Sequence, residues 1–223
     1  MKTIFVFGDS LSEGLAISSR QAWPMLLVEK LRPIGPNFRV INASASGSTT
    51  EGGLRRLPPH LDHPIDIFVL ELGINDAFHG ILVEQTRANL QSIIDQVKAR
   101  SPDASVVIVG MQFPIAAPDS EYAAAFVKMF GELAEKNHAA LVPNLLDGVV
   151  GDPKLNLPDR IHPNAAGHKV LVENVWRVLE PIARELARNS AARFYCRHPG
   201  AKTPVRLGPR APHFGSEIAQ ARA

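Results

Sequence analysis

The chain has 223 residues, enough for one domain with a sizeable core, and 45% of them are apolar, which excludes a disordered polymer. No apolar run approaches the ~18–20 residues that cross a bilayer, so no stable membrane insertion is expected. A formal charge of +2 is too small to mark a nucleic-acid binder, and it is unevenly spread: beyond Ala191 six Arg and Lys side chains face Glu217 alone, so the tail carries +5 and the rest of the chain −3.

Cys196 is the only cysteine, so no intrachain disulfide can form, which is compatible with a reducing compartment. The N-terminus does not read as a signal peptide, because Met1–Phe7 leads straight into Gly8-Asp9-Ser10. The expectation is a cytoplasmic protein as given, or a periplasmic or secreted one if a leader was trimmed.

In chain order, Thr3–Phe7 reads as a buried strand and Gly8–Gly14 as a loop. Trp23–Leu31 reads as a helix, with Pro24 tolerated in its first turn. Arg39–Asn42 is a short strand, Ala43–Thr50 a Ser/Gly/Thr-rich loop, and Gly53–Leu61 a helix interrupted by Pro58-Pro59. Asp66–Leu70 is a strand and Gly73–Gly80 a loop. From Val83 to Arg100, Val83, Leu90, Ile93, Ile94 and Val97 recur at helical spacing until Ser101-Pro102. Ser105–Gly110 is a strand, Tyr122–Lys136 a helix, Ala139–Val142 a last strand, and Ala165–Arg188 a closing helix containing Pro181. Short apolar strands separated by helices of this length imply a parallel sheet covered on both faces, an α/β fold. This domain spans residues 1–188; the segment 189–223, rich in Pro, Gly and Arg and without periodicity, reads as a basic disordered tail, dispensable or an arm for membranes or acidic partners.

Four loops carry residue types that acyl transfer needs: a nucleophile, a base, a group orienting the base, and donors for an oxyanion. Gly8-Asp9-Ser10-Leu11-Ser12 puts a serine just after the first strand, where ligands bind in such sheets; the same residues could simply cap a helix. In Asn42-Ala43-Ser44-Ala45-Ser46-Gly47-Ser48 a glycine lets a backbone N–H approach an anionic oxygen. In Gly73-Ile74-Asn75-Asp76 the Asn75 amide is a neutral donor suited to that oxygen, or the head of an Asx-turn. In Asp159-Arg160-Ile161-His162-Pro163 the three-residue spacing can bring the carboxylate to the imidazole Nδ1 and leave Nε2 free, although a plain surface turn would look the same. Each loop alone is weak evidence. All four in one chain, in this order, are hard to obtain by chance.

Together these blocks resemble the four signature blocks of the SGNH/GDSL hydrolases, whose letters fall on Ser10, Gly47, Asn75 and His162. Ala22-Trp23-Pro24, Asn42-Ala43-Ser44, Arg55-Arg56-Leu57-Pro58 and Glu71-Leu72-Gly73 are similar to a narrower branch, the bacterial multifunctional thioesterase/lysophospholipase and arylesterase group, in which Gly often stands where this chain has Ile74. The resemblance covers residues 3–188. It implies a flavodoxin-like, three-layer α/β/α fold with five parallel strands. It also implies a Ser10–Asp159–His162 triad, an oxyanion hole from the Ser10 N–H, the Gly47 N–H and the Asn75 side chain, and no metal or cofactor.

A small-molecule ester or thioester is the expected partner. Phe78, His79, Phe113, Pro114 and Ile115 lie in loops that flank the site in the resembling branch and suit an acyl chain or aryl group, and Asp9 is a further candidate beside the nucleophile. Short- to medium-chain esters, aryl esters, thioesters or lysophospholipids follow as substrates. The alternatives are a carbohydrate O-deacetylase, disfavoured by the 6% aromatic content, and a non-catalytic acyl- or lipid-binding module, disfavoured because every part of the triad is present. His60 and His63 flank Asp62 on a Pro-rich segment without a fourth ligand, so no zinc site is expected there.

Overall fold

The computed structural model describes residues 1–35, 37–112 and 120–197, the last eight by backbone alone. Residues Met1–Arg188 form one compact unit, and of the second, Asn189–Ala223, only the helical stretch to Arg197 is described.

Five strands form the sheet: β1 (Lys2–Gly8), β2 (Phe38–Asn42), β3 (Ile67–Glu71), β4 (Ser105–Val109) and β5 (Ala140–Val142). All neighbours are parallel, in the order β2-β1-β3-β4-β5. The central strands are continuous apolar runs because both faces are covered; every residue of Ile67–Glu71 is buried. Each Val, Ile, Leu or Phe so enclosed contributes roughly 1.5–3 kcal/mol relative to exposure.

The helices are α1 (Ser10–Glu13), α2 (Trp23–Leu31), α3 (Thr50–Arg56), α4 (Ile74–Phe78), α5 (Val83–Arg100), α6 (Glu121–Lys136) and α7 (Ala165–Arg197). Right-handed crossovers require α3, α5 and α6 on one face and α2 on the other. The contacts agree: α3 packs on α5 and α5 on α6, whereas α2 meets α7 through a Lys30–Glu173 ion pair and through Trp23 N–H, which donates to His168 Nδ1 at 3.1 Å. This is the expected three-layer α/β/α arrangement. The chain leaves β1 toward β2 and returns to β3 on the other side, so strand order reverses at β1. In open sheets of this kind ligands bind at such a point, in the crevice above the carboxyl ends of the strands, here β1 and β3.

Two expected loops contain short helices. Asp9 caps α1 by accepting the Leu11 N–H at 3.0 Å, and α4 begins directly after Gly73. Helix α3 starts earlier than expected, at Thr50, because Thr49 Oγ1 accepts the Gly52 N–H at 3.1 Å. Helix α7 runs through Pro181 and past the expected end at Arg188 to Arg197; the remainder of the expected tail, from His198, lies outside the described residues. Among the described residues, no helix is long and apolar enough to cross a membrane.

Candidate active site

Strand β1 delivers Gly8 to the crevice, and the chain turns at once into α1, so Ser10 occupies the first helical turn. A first-turn N–H has no acceptor within its own helix and is available to an anion. Glycine is required beneath it: a Cβ on Gly8 would lie 2.4 Å from Glu71 Oε2 and 2.7 Å from Ser12 Oγ. Ser10 is buried but for 7% of its surface.

From the far end of the chain His162 reaches Ser10, with Nε2 3.0 Å from Ser10 Oγ. Its Nδ1 lies 2.7 Å from Asp159 Oδ2. A carboxylate only accepts, so Nδ1 carries the proton, and the neutral ring presents Nε2 as acceptor to the serine hydroxyl. Asp159 Oδ1 accepts the N–H groups of Ile161 at 2.9 Å and His162 at 3.0 Å, closing an Asx-type turn. Partial burial opposes the Asp159 charge, but these two backbone bonds and the imidazole outweigh it and hold the carboxyl down at about 2. The turn is closed by Arg160 at a left-handed φ of 60°. Leu157 N–H donates to the His162 carbonyl at 2.8 Å, and Asn164 caps α7 through the Ala166 and Gly167 N–H groups. The His168–Trp23 bond then ties the start of α7 to the start of α2. Burial pushes His168 down to about 4, which keeps it neutral and accepting.

Asn75, on α4, projects its amide between two loops. Nδ2 donates to Asp9 Oδ2 at 3.0 Å and to the Ser48 carbonyl at 3.1 Å. These acceptors are the chain neighbours of Ser10 and Gly47. Gly47 is exposed, has a positive φ of 73°, and nothing lies within 4 Å of where its Cβ would be, so its backbone can be approached closely. The next residue, Asp76, faces the other way: it accepts the Thr50 N–H at 2.8 Å and the hydroxyls of Thr50 and Thr86, fastening α4 to α3 and α5.

Beneath Ser10 lies a layer of buried charge. Asp9 and Glu71 are both fully buried. Glu71 Oε2 accepts the Ser12 hydroxyl at 2.5 Å and the Asp9 N–H at 3.2 Å, while its Oε1 has no hydrogen-bond partner among the described residues. Burial, reinforced by Asp9, drives Glu71 well above the usual carboxylate range; burial likewise pushes Asp9 up, to about 7, against the pull of the Leu11 N–H and the Arg56 guanidinium. Two buried carboxyls share the one guanidinium of Arg56, and low dielectric favours a proton on Glu71 over a second charge beside Asp9.

Residues 6–170 match the GDSL-like lipase/acylhydrolase family. The chain belongs to that family. It is 40% identical over 184 residues to the esterase TesA of Pseudomonas aeruginosa, covering 81% of this chain and 89% of that one. It is 34% identical over 189 residues to an arylesterase of Vibrio mimicus, covering 83% and 88%. A crystal structure of TesA superposes with a TM-score of 0.76 at 38% identity, covering 81% of this chain and 99% of the other. As a GDSL-like acylhydrolase the protein is a carboxylic ester hydrolase, as the four loops implied.

Within this GDSL-like site the structure brings together Ser10, His162, Asp159, Asn75 and Asp9. Asp9, expected as a substrate contact, has no exposed surface; its side chain caps α1 and accepts from Asn75. Phe78 and His79 sit at the exposed C-terminal end of α4, on the same short helix as Asn75. Phe113, Pro114 and Ile115 lie outside the described residues. Glu71, Arg56 and His168 were not read as functional from the sequence. For the first two a signal existed in the Arg55-Arg56-Leu57-Pro58 and Glu71-Leu72-Gly73 stretches, but it carried no chemistry until the loops they hold were seen.

Proposed function

We propose that Ser10 is the nucleophile of this ester hydrolase, with His162 as general base and acid and Asp159 as its orienting carboxylate. The observation that carries the reading is the unbroken relay of 3.0 Å from Ser10 Oγ to His162 Nε2 and 2.7 Å from His162 Nδ1 to Asp159. His162 takes the hydroxyl proton as Oγ attacks the carbonyl carbon, and Asp159 stabilises the imidazolium. Negative charge on the former carbonyl oxygen is met by the N–H groups of Ser10 and Gly47 and by the Asn75 amide, whose hydrogen on the Ser48 carbonyl turns to it while the other stays on Asp9. His162 returns its proton to the departing alcohol or thiol, and water, deprotonated by the same imidazole, hydrolyses the acyl-Ser10 ester.

The substrates are short- to medium-chain carboxylic esters, including aryl esters, with thioesters and lysophospholipids as further members of the class. The exposed Phe78 supports an apolar acyl or aryl group beside Asn75. The test is the hydrolysis of p-nitrophenyl esters of increasing chain length by wild type and Ser10→Ala. Loss of at least about 10⁴-fold in kcat is expected from the substitution at unchanged thermal stability. Retained turnover would remove Ser10 from the mechanism. A profile flat in chain length, with faster release of acetate from acetylated sugars, would favour the deacetylase instead.

A further inference from the structure

Arg56 closes α3, and its guanidinium binds three parts of the site at once. Nη2 donates to the Gly8 carbonyl at 2.6 Å, at the end of β1. Nη1 donates to the Ala43 carbonyl, just beyond β2, and Nε to Ser48 Oγ at 3.2 Å, in the loop that carries Gly47. The guanidinium stands over the Phe7 ring, with Cζ 3.8 Å from its centroid. Three acceptors in three directions match a planar fork and not a lysine ammonium.

Arg56 is also the cation acting on the buried carboxyls. Beside Asp9 stand Asp76 on α4, which opposes its charge, and Arg56, which supports it; Asp9 itself raises Glu71 on β3, while Glu13 on α1 and His60 face Arg56. Asp9 in turn accepts from Asn75 Nδ2. An amide N–H is held more strongly by a carboxylate than by a neutral carboxyl, so what keeps Asp9 ionised also keeps the Asn75 amide in place.

We propose that Arg56 is a positioning residue of the hydrolysis, which clamps the nucleophile strand to the Gly47 loop and, as counter-charge to Asp9, holds the Asn75 amide where the oxyanion forms. The inference rests on the reading of Ser10 and Asn75 above. Arg56 acts through the protein groups it binds and not on the substrate. It predicts an effect on kcat and on its pH dependence, with KM little changed.

The experiment measures kcat and KM for p-nitrophenyl butyrate from pH 5 to 9, together with thermal stability, in wild type, Arg56→Met and Arg56→Lys. A phosphonate ester titrates the fraction of molecules with a reactive Ser10. Per reactive serine, Arg56→Met is expected to lose about 10²–10³-fold in kcat, the size of one oxyanion donor, with the acid limb of the profile moved to higher pH. Arg56→Lys keeps the charge and loses the fork, so it is expected to restore the wild-type acid limb but only part of kcat. A folded Arg56→Met with kcat within about threefold of wild type, or a fall in kcat with the acid limb unmoved, would overturn the proposal. If Arg56→Met does not fold, Arg56→Lys decides alone: reduced kcat on a wild-type acid limb supports it, and wild-type kcat overturns it. An active Ser10→Ala would instead strike the underlying reading, which sets the two failures apart.

Discussion

The two halves of the active site are built on opposite principles. The nucleophile half, comprising Gly8, Asp9, Ser10, Glu71 and Asn75, grows out of the sheet, and its supporting carboxyls are fully buried. The base half is a surface turn: the side chain of Asp159 is 41% exposed and that of His162 21%, and the turn is held by local hydrogen bonds and by the start of α7. Buried parts are fixed by packing, so their positions cannot change without straining the core. The turn is fixed by a few bonds near water, so its chemistry can fail while the fold survives.

The largest expected effect tests that separation directly. Asp159→Asn removes the acceptor that sets the His162 tautomer, and a loss of roughly 10³–10⁴-fold in kcat is expected. Thermal stability at pH 7 should barely move, because one exposed hydrogen bond to a neutral imidazole contributes little and Asn keeps Oδ1 for the two backbone N–H groups. Calorimetry and single-turnover kinetics on the same sample check both halves of the statement. A large fall in melting temperature would mean that the turn is as integral to the core as Ser10 is.

Gly8→Ala is the counterpart in the buried half. Its Cβ would meet Glu71 Oε2 at 2.4 Å and Ser12 Cβ at 2.8 Å, neither of them the end of a free side chain. A loss of about 1–3 kcal/mol in stability is expected, as for overpacking elsewhere, with kcat falling in the same variant. Urea denaturation with an active-serine titration measures the two together. Unchanged stability would show that the carboxyl layer can yield.

This asymmetry also decided what the sequence could disclose. The strands were readable because buried parallel strands are continuous apolar runs, as Ile-Phe-Val-Leu at 67–70 is, and the triad because its residues are chemically conspicuous. Helices α1 and α4 were hidden: four or five residues show no 3.6-residue period, and α1 owes its cap to Asp9, which looked as much like a ligand contact. The roles of Glu71 and Arg56 are made by partners 48 to 62 residues away, Gly8 for Arg56 and Asp9 for Glu71, so no local pattern announces them. The end of α7 was missed because the Pro and Gly that mark 189–223 as a tail all lie beyond Arg197, from Pro199 on, and nothing in Asn189–Arg197 breaks the helix.

Between the two halves stands His168, which fastens α7 to α2 and so the turn to the body. Burial lowers its folded-state value from 6.5 to about 4. Below pH 6.5 the unfolded chain therefore takes up this proton first. The stability contributed by the neutral ring is present above pH 6.5 and is lost as the pH falls toward 4, by no more than about 3 kcal/mol. His168→Asn offers Oδ1 as an acceptor for the Trp23 N–H and does not titrate. Its melting temperature should fall less steeply than wild type between pH 6.5 and 4. An identical slope would place the acid sensitivity elsewhere, though not on Asp9 or Glu71, whose raised values make the folded state gain on acidification.

The smallest effect concerns Arg160, the left-handed residue on which the base turn closes. A non-glycine residue at this φ costs ~1–2 kcal/mol, and glycine removes that cost while giving back ~0.5–1 kcal/mol through the unfolded chain. Arg160→Gly should therefore leave stability almost unchanged and kcat within about threefold of wild type. Arg160→Val is different in kind, since a β-branched side chain resists the left-handed region and would pull Asp159 away from the His162 and Ile161 N–H groups. It should lower kcat several-fold while the melting temperature of the body stays put. If Val is tolerated as well as Gly, the turn is held from outside by Asn164 and α7, and the base half is then more like the buried half than its exposure suggests.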